Sequence, residues 1–281
     1  MSEYAQKIDG KYAQKDGGLK ERIIALTLKE GFSRARICTS VKDYGTRHIL
    51  PEQTTAMLVA ALPYEFEAGV YNEHPPSGFA EIAEFARGNY YREAVLRLKK
   101  IANTMNWRKR DCRIFCNSRI AEKSIALSCG LGVRGRHSLI ITPEAGSFVI
   151  IAMMTLPVVI EGDGPVDGVD LCAACSKSNP PCAVRCPTGA VKPEGGIDVE
   201  RCIQWYASGN GSCVPHEISK RWGRRFYGCI ECQRYCPHNK TRVCSVKLSG
   251  TPLERFINID EFLTMSEEQI RMKFKGSTLG M

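Results

Sequence analysis

Hydrophobic and polar positions change their spacing several times in the first part of the chain. Residues 19–32 carry apolar side chains at helical spacing, which predicts an amphipathic helix. Ala56–Pro63 is an unbroken apolar run of the kind found in buried strands. Residues 79–105 are rich in Ala, Glu, Leu and Arg, and they predict one long helix with an interruption at Gly88.

Shorter elements are predicted further along this region. Residues 113–116 indicate a strand and residues 120–129 a helix. Residues 138–142 and 148–155 are predicted to pair as strands around a turn at residues 143–146. The mixture of helices and strands predicts an α/β or, more broadly, an α+β domain.

The composition and the apolar stretches bear on the class of protein. The chain has 281 residues, 43% hydrophobic and 25% charged, which is typical of a globular protein. Its first residues lack the apolar core of a secretory signal. The longest apolar stretch, residues 148–160, contains Pro157 and is shorter than the roughly 20 residues that cross a bilayer. We therefore expect a soluble, cytoplasmic protein with no membrane partner.

Cysteine is the most informative residue type. In a chain with no export signal, fourteen cysteines indicate metal or redox chemistry rather than disulfides, because a reducing cytosol keeps thiols reduced. Ten of them fall between Cys172 and Cys244. This change in composition, together with a turn-rich stretch at residues 162–165, predicts three parts. They are an α/β domain (1–165), a cysteine-rich module (166–245) and a C-terminal helical tail (246–281).

The first cysteine segment reads CAACSKSNPPCAVRCPTGA and contains Cys172, Cys175, Cys182 and Cys186. It matches the bacterial two-cluster ferredoxin run C-x2-C-x2-C-x3-C-P, apart from a longer spacing between its second and third cysteines. The extra residues include two prolines and are expected to form a loop. This segment predicts ligands of iron-sulfur clusters.

The second segment, YGCIECQRYCPHN, contains Cys229, Cys232 and Cys236, but Phe226 stands where the first cysteine of the run would be. A fourth thiolate must come from upstream. Cys202 and Cys213 are the two candidates, and spacing does not choose between them.

The two segments predict two interleaved ligand sets, because the cysteine before proline ligates the other cluster in such modules. One set is Cys172, Cys175, Cys182 and Cys236. The other is Cys186, Cys229, Cys232 and either Cys202 or Cys213. Four thiolates also suit zinc, but zinc ribbons pair C-x2-C knuckles, so the repeated C-P endings favour two 4Fe-4S clusters. An electron carrier alone would not need the preceding domain, so we expect the clusters to serve a site there.

The segment GLGVRG, residues 130–135, matches the dinucleotide pattern G-x-G-x-x-G. That fingerprint must follow a strand and open a helix. Here a predicted helix precedes the glycines and a predicted strand follows them, so we do not expect NAD binding. The glycines either let the backbone approach a large flat ligand or make a tight helix-to-strand turn.

Several phrases together carry a family resemblance. The chain resembles the epoxyqueuosine reductases, cobalamin-dependent enzymes related to reductive dehalogenases, from about residue 56 onward. The phrases are ARGNYYREAVLRLKK, AEKSIALSCGLGVRGRHSLIITPEAGSF, CPTGAV, IDVERCIQWY and RRFYGCIECQRYCPHNK.

The resemblance implies a cofactor arrangement and favours Cys202 as the remaining ligand. It implies a corrinoid-binding N-terminal domain followed by a ferredoxin-like module, with electrons passing from an outer cluster to an inner cluster and then to cobalt. Reduced ferredoxin or flavodoxin would be the electron donor. The cobalamin is expected to be base-off, and the chain has no D-x-H-x-x-G segment that would supply a replacement histidine.

The resemblance implies corrinoid contacts in the glycine turn, at Arg134, Gly135, Arg136, His137 and Ser138. Where the family has Trp, Ile, Lys and Asn, this chain has Val133, Arg134, Arg136 and His137. We therefore expect a more cationic pocket, suited to an anionic substrate or to corrinoid side chains. For His137, the alternative is a surface histidine or one satisfied in the core.

The chain departs from the family at the expected proton donor. Family members have an aspartate in a phrase like D-(S/T)-x-P-x-x-E, whereas this chain has CNSRIAE, with Cys116 and Asn117 in its place. Asparagine cannot supply a proton at neutral pH, and a cysteine could do so only in a different chemistry. Cys116, Asn117 and Tyr91 remain candidate catalytic residues. Cys116 could instead be a buried unreactive thiol beside Cys112, and Tyr91 a packing aromatic.

The C-terminal residues resemble the segment that in the family precedes helical repeats implied to grip tRNA. Because no such repeats follow Met281, we expect tRNA to be a possible but disfavoured partner, although the formal net charge is +9. The sequence predicts an oxidoreductase acting on an unidentified small molecule or modified nucleoside. The alternatives are an electron-transfer protein that reduces a partner's corrinoid and a tRNA epoxyqueuosine reductase.

Overall fold

A four-stranded antiparallel sheet forms the centre of the N-terminal region in the computed structural model, which describes residues 18–40, 50, 54–64, 74–209, 213–239, 246 and 248–280. The strands are β1 Arg34–Cys38, β2 Ala56–Pro63, β3 Phe79–Ile82, β4 Ile114–Cys116, β5 Val133–Arg134, β6 Ile140–Ile141, β7 Val149–Leu156, β8 Arg225–Tyr227 and β9 Phe256–Asn258. The helices are α1 Leu19–Lys29, α2 Glu84–Arg87, α3 Tyr90–Thr104, α4 Glu122–Ser128, α5 Pro181–Val184, α6 Ile203–Ala207, α7 His216–Ser219, α8 Glu231–Arg234, α9 Ile259–Thr264 and α10 Glu267–Phe274. The sheet order is β1-β2-β7-β4.

Strand β2 is apolar along its whole length because both of its faces are covered. All eight of its residues are buried. Alternate side chains enter two different cores, Leu58 on the side covered by α1 and α3, and Met57 on the side covered by α4. Because successive side chains of a strand point to opposite faces, a strand covered on both faces needs apolar residues throughout. The buried strand and the mixed α/β class predicted from the sequence are both confirmed.

Two predicted elements were wrong. Residues 79–105 are not one helix, since β3 comes first and α2 and α3 follow it on either side of Gly88. Residues 138–142 and 148–155 do not pair as strands. Instead, β6 pairs with β5, whereas β7 lies between β2 and β4 in the main sheet. The apolar side chains of β7 enter both cores, which favours the centre of the sheet over a hairpin edge.

A second, three-stranded sheet connects distant parts of the chain in the order β8-β3-β9. Its strands come from the regions predicted as the α/β domain, the cysteine-rich module and the C-terminal tail. Phe226 on β8 stacks on Phe274, with 5.7 Å between ring centroids, and meets Phe262 edge-on at 4.8 Å. The residue that replaces a cysteine of the ferredoxin run is therefore part of a small aromatic core.

Buried ion pairs join the same three regions. The carboxylate of Glu81 on β3 lies 2.7 Å from Arg234 of α8 and 2.8 Å from Arg255, just before β9. The three side chains are between 7% and 12% exposed. Because a buried charge without its partner is costly, these residues stabilise the packing of the module and the tail against β3. In the described part of the chain, no helix has the length and apolar character needed to cross a membrane.

We expect Glu81→Gln to lower the free energy of unfolding by about 3 kcal/mol, because Arg234 and Arg255 both lose their contact with the buried carboxylate of Glu81, although Glu231 still pairs with Arg234. Denaturant unfolding followed by circular dichroism measures this change. The matched control is Glu267→Gln, which removes an ion pair to Arg271 whose two side chains are 80% and 77% exposed, and it should cost less than about 1 kcal/mol. Equal losses in the two variants would contradict the role assigned to Glu81.

Candidate functional site

One group of cysteines lies at the outer side of the module. It comprises Cys172, Cys175, Cys182 and Cys236. Burial raises the pKa of Cys236 to about 11, and the nearby thiols of Cys172, Cys182 and Cys175 act in the same direction. Most residues between Cys172 and Cys182 are exposed, so this group lies near the protein surface.

A second group comprises Cys186, Cys202, Cys229 and Cys232. Burial raises the pKa of Cys232 well above its usual value, and the thiols of Cys229, Cys202 and Cys186 add to the effect. Cys182 of the first group also contributes, so the two groups are neighbours. In this group Cys202, rather than the exposed Cys213, lies beside the others, and the interleaved ligand sets stay a prediction.

Local backbone geometry positions these thiols. The backbone N–H of Ala190 donates to Cys186 Sγ at 3.2 Å, and Gln204 Oε1 accepts from the N–H of Cys229 at 3.0 Å. Cys213 is exposed, and Cys244 lies outside the described residues. Within the described residues, no His, Cys, Asp or Glu side chains are gathered closely enough to hold a single metal ion.

A cleft of about 520 Å³ lies between the second cysteine group and the α/β domain. All four cysteines of that group line it. Polar side chains of the α/β domain line the opposite wall, namely Tyr64, Tyr91, Asn117, Glu122, Lys123, His137 and Ser147. The cleft is the place where a redox centre bound by these cysteines would meet a bound molecule.

Three of the sequence-predicted candidates line the cleft. His137 is 2% exposed, and its Nδ1 accepts the N–H of Leu139 at 3.2 Å, which assigns the ring proton to Nε2. Nε2 is buried and has no hydrogen-bond partner. Burial lowers the pKa of His137 to about 4, with His238 and Lys123 acting in the same direction, so the ring is neutral. His137 thus has one N–H donor that the described residues leave without a partner, on a side chain that lines the cleft. Tyr91 and Asn117 are the other two sequence-predicted candidates that line the cleft.

The remaining members of the glycine turn have other surroundings. Arg134 is exposed. Arg136 faces the first cysteine group, since its N–H donates to Cys172 Sγ at 3.4 Å and its guanidinium donates to the carbonyl of Ser176 at 2.7 Å. Ser138 has φ +62°, and its carbonyl accepts from Lys123 Nζ at 3.4 Å.

The glycines of this segment make a tight turn. A Cβ on Gly132 would lie 2.5 Å from the carbonyl oxygen of Ile141, and one on Gly135 would lie 2.7 Å from the ring of His137. Helix α4 precedes the glycines and β6 follows them, as predicted, whereas β5 lies between Gly132 and Gly135. Of the two alternatives left open by the sequence, these contacts favour a turn that packs against its own hairpin.

Cys116 is a half-buried thiol whose pKa is raised, rather than a reactive one. Its Sγ donates to the carbonyl of Ile151 at 3.4 Å. Burial raises the pKa values of both Cys116 and Cys112 to about 12. Both side chains pack in the core covered by α1 and α3, so neither thiol ionises at neutral pH.

Two cleft residues were not singled out from the sequence. Glu122 and Lys123 begin α4 and lie beside the place of the missing aspartate. The signal was present, because Glu122 is the last residue of CNSRIAE. Its approach to Tyr91 depends on the packing of α3 against β4, which the local sequence does not specify.

The module matches the family model of the 4Fe-4S double cluster binding domain over residues 171–239. The chain is 30% identical to an epoxyqueuosine reductase from Shewanella oneidensis over 83% of its own length and 61% of that protein. It is 29% identical to the enzyme from Escherichia coli over 74% of its length and 54% of that protein. This chain is a homologue of the epoxyqueuosine reductases. It spans little more than half the length of these two relatives.

The fold of this chain is similar to that of the solved epoxyqueuosine reductase from Bacillus subtilis. The TM-score is 0.76 and the identity 24%, and the match covers 92% of this chain and 76% of that one. A catabolic reductive dehalogenase shares the fold with a TM-score of 0.55 and 21% identity, over 84% of this chain and 34% of that one. At these identities, the likeness concerns the fold alone. The homologue thus combines the reductase fold with a 4Fe-4S double cluster binding domain.

We expect Cys202→Ser to remove one of two 4Fe-4S clusters, because Cys202 lies beside Cys229 and Cys232 in the second group. About four of the eight irons and about four of the eight acid-labile sulfides should be lost. Cys213→Ser is the matched control and should retain both clusters. Iron and sulfide analysis of anaerobically reconstituted protein measures the difference. Loss of a cluster in the Cys213 variant alone, or stoichiometric zinc without labile sulfide in the wild type, would contradict the assignment.

Proposed function

We propose that this epoxyqueuosine reductase homologue is an oxidoreductase that uses two 4Fe-4S clusters and a corrinoid to reduce a molecule bound in the cleft. The observation that carries the proposal is that the second cysteine group forms part of the cleft wall. A cluster held by Cys186, Cys202, Cys229 and Cys232 would adjoin the bound molecule, and one held by Cys172, Cys175, Cys182 and Cys236 would lie toward solvent. Such clusters, when bound, supply single electrons.

The residues of the chain suit these two positions. The outer group is surrounded by exposed residues, which gives access to a carrier such as reduced ferredoxin or flavodoxin. Arg136 holds the outer group through its contact with Cys172. Cys182 is close enough to raise the pKa of Cys232, so the distance between the two proposed clusters is short.

The corrinoid in this proposal comes from the family resemblance, and the described residues offer it one clear donor. A corrinoid, when bound, supplies a cobalt centre for reduction of the substrate. Its edge carries amide and phosphate acceptors, for which the unpartnered Nε2–H of His137 is a suitable donor. Arg134 is exposed beside Lys123 and is free to contact an anionic group, whereas Arg136 is engaged with Ser176. We therefore assign corrinoid binding to His137 and Arg134, in the turn that also contains Gly135 and Ser138.

A second candidate is reduction of epoxyqueuosine in tRNA, which the curated relatives favour. A solved relative with a TM-score of 0.74 holds an epoxyqueuosine-modified tRNA stem loop. Expression of the chain in a bacterial strain that lacks epoxyqueuosine reductase separates the two candidates. Queuosine restored to tRNA would establish the second candidate, whereas its absence from cells containing cluster-loaded protein would favour another small molecule or modified nucleoside.

We expect cob(II)alamin to bind to the cluster-loaded protein in its base-off form, as the resemblance implies. His137→Ala should weaken binding by about tenfold, the equivalent of one hydrogen bond worth about 1.4 kcal/mol. The control is His216→Ala, which removes an exposed histidine on α7. Anaerobic titration followed by electron paramagnetic resonance measures both. No binding at tens of micromolar would contradict the corrinoid and leave an electron-transfer protein that reduces a partner's cofactor.

A further inference from the structure

The cleft contains one carboxyl group without a cationic partner. Of the described residues, two glutamates line it. Glu231 lies 3.0 Å from Arg225 and 3.2 Å from Arg234 and is held by these arginines. Glu122 has hydrogen bonds only to Ser118, whose N–H and hydroxyl donate to Oε1 at 2.8 Å and 2.9 Å, and no ion pair of the described residues involves it. Its second oxygen, Oε2, has no hydrogen-bond partner among the described residues, and the Glu122 side chain lines the cleft.

The surroundings of Glu122 favour its protonated form. Burial raises the pKa of the Glu122 carboxyl, although the N–H and the hydroxyl of Ser118 oppose the shift. Tyr91 from α3 and Cys116 from β4 face the carboxyl, and burial raises the pKa values of both, so they remain neutral. The next residue in the chain, Lys123, also lines the cleft, and burial lowers its pKa, with Arg134 acting in the same direction.

We propose that Glu122 is the proton donor of this cleft, in the role for which Cys116 and Asn117 offer no acid. The inference rests on the proposed reductase function. Removal of one oxygen atom from carbon as water takes two electrons and two protons. For an epoxide, the O–H bond of Glu122 breaks as its proton passes to the oxygen, and the first carbon–oxygen bond breaks with it. The second carbon–oxygen bond breaks as the two electrons allow the carbon–carbon double bond to form, and the oxygen takes a second proton and leaves as water. The clusters, when bound, would supply the two electrons from a low-potential one-electron carrier, and water would supply the second proton and then reprotonate Glu122.

A purely structural role makes a different prediction. A glutamate at the start of a helix can serve as an acceptor for nearby N–H groups, as Glu122 does for Ser118. Glu122→Gln retains an acceptor oxygen and loses the acidic proton. Ser118→Ala retains the acid and loses one donor to it. The two variants therefore distinguish the loss of the acidic proton from the loss of one hydrogen bond.

The first measurement is reduction of an epoxyqueuosine-modified tRNA stem loop by cluster- and cobalamin-loaded protein with dithionite. Glu122→Gln should lower the maximal rate at least about 100-fold, the usual contribution of a general acid, with unchanged cluster content. In wild-type protein the rate should fall as pH rises through the pKa of Glu122. Ser118→Ala should move this fall to higher pH, because it removes a hydrogen bond that favours the carboxylate. Glu267→Gln, at an exposed ion pair, should behave as wild type.

The second measurement does not depend on turnover. Infrared difference spectra recorded against pH should contain the carbonyl stretch of a protonated carboxylic acid at neutral pH, and this band should be absent in Glu122→Gln. Full turnover by Glu122→Gln, or a Glu122 that is ionised throughout the neutral range, would overturn the proposal. Wild-type protein with both clusters that fails to reduce the stem loop would contradict the tRNA candidate, and the infrared band would still decide whether Glu122 holds a proton.

Discussion

The position of helix α8 is the constraint on which the site depends. Its residue Arg234 is held by Glu81 on β3, and its residue Gln233 donates to the carbonyl of Ser147 at 2.7 Å and to Tyr64 Oη at 3.0 Å. Cys232 lies directly before these two residues and lines the cleft. Because buried polar groups must be paired, both contacts specify one orientation of the helix, and with it the position of the Cys232 thiol.

The sequence predicted the chemistry better than the packing. The C-P segments identify both cluster-binding stretches because a cluster constrains the spacing of its nearest ligands, and the matched double cluster domain covers the same residues. The fourth ligand of the second set was left open, because Cys202 reaches Cys229 only through tertiary folding. Strand β3 was missed for a related reason, since its partners β8 and β9 are more than 140 residues away in the chain.

The missing aspartate illustrates the limit of reading a motif by position. Its place in the sequence is occupied by a half-buried thiol and an asparagine, which indicate a lost acid. In the folded protein, the carboxyl of Glu122 lines the same cleft from the first turn of α4. The function of a motif residue depends on the position of its side chain in the folded protein. For Glu122, helices α3 and α4 together determine this position.

The glycine turn links the two halves of the site through adjacent residues. Arg136 donates its N–H to Cys172, and its carbonyl accepts from the N–H of Gly196 at 2.9 Å, so the turn is attached to the module. The next residue, His137, lines the cleft. The tight packing of Gly132 and Gly135 leaves this hairpin little room to change shape. A shift of the outer cysteine group relative to the α/β domain would therefore move His137, because His137 directly follows the residue that contacts Cys172.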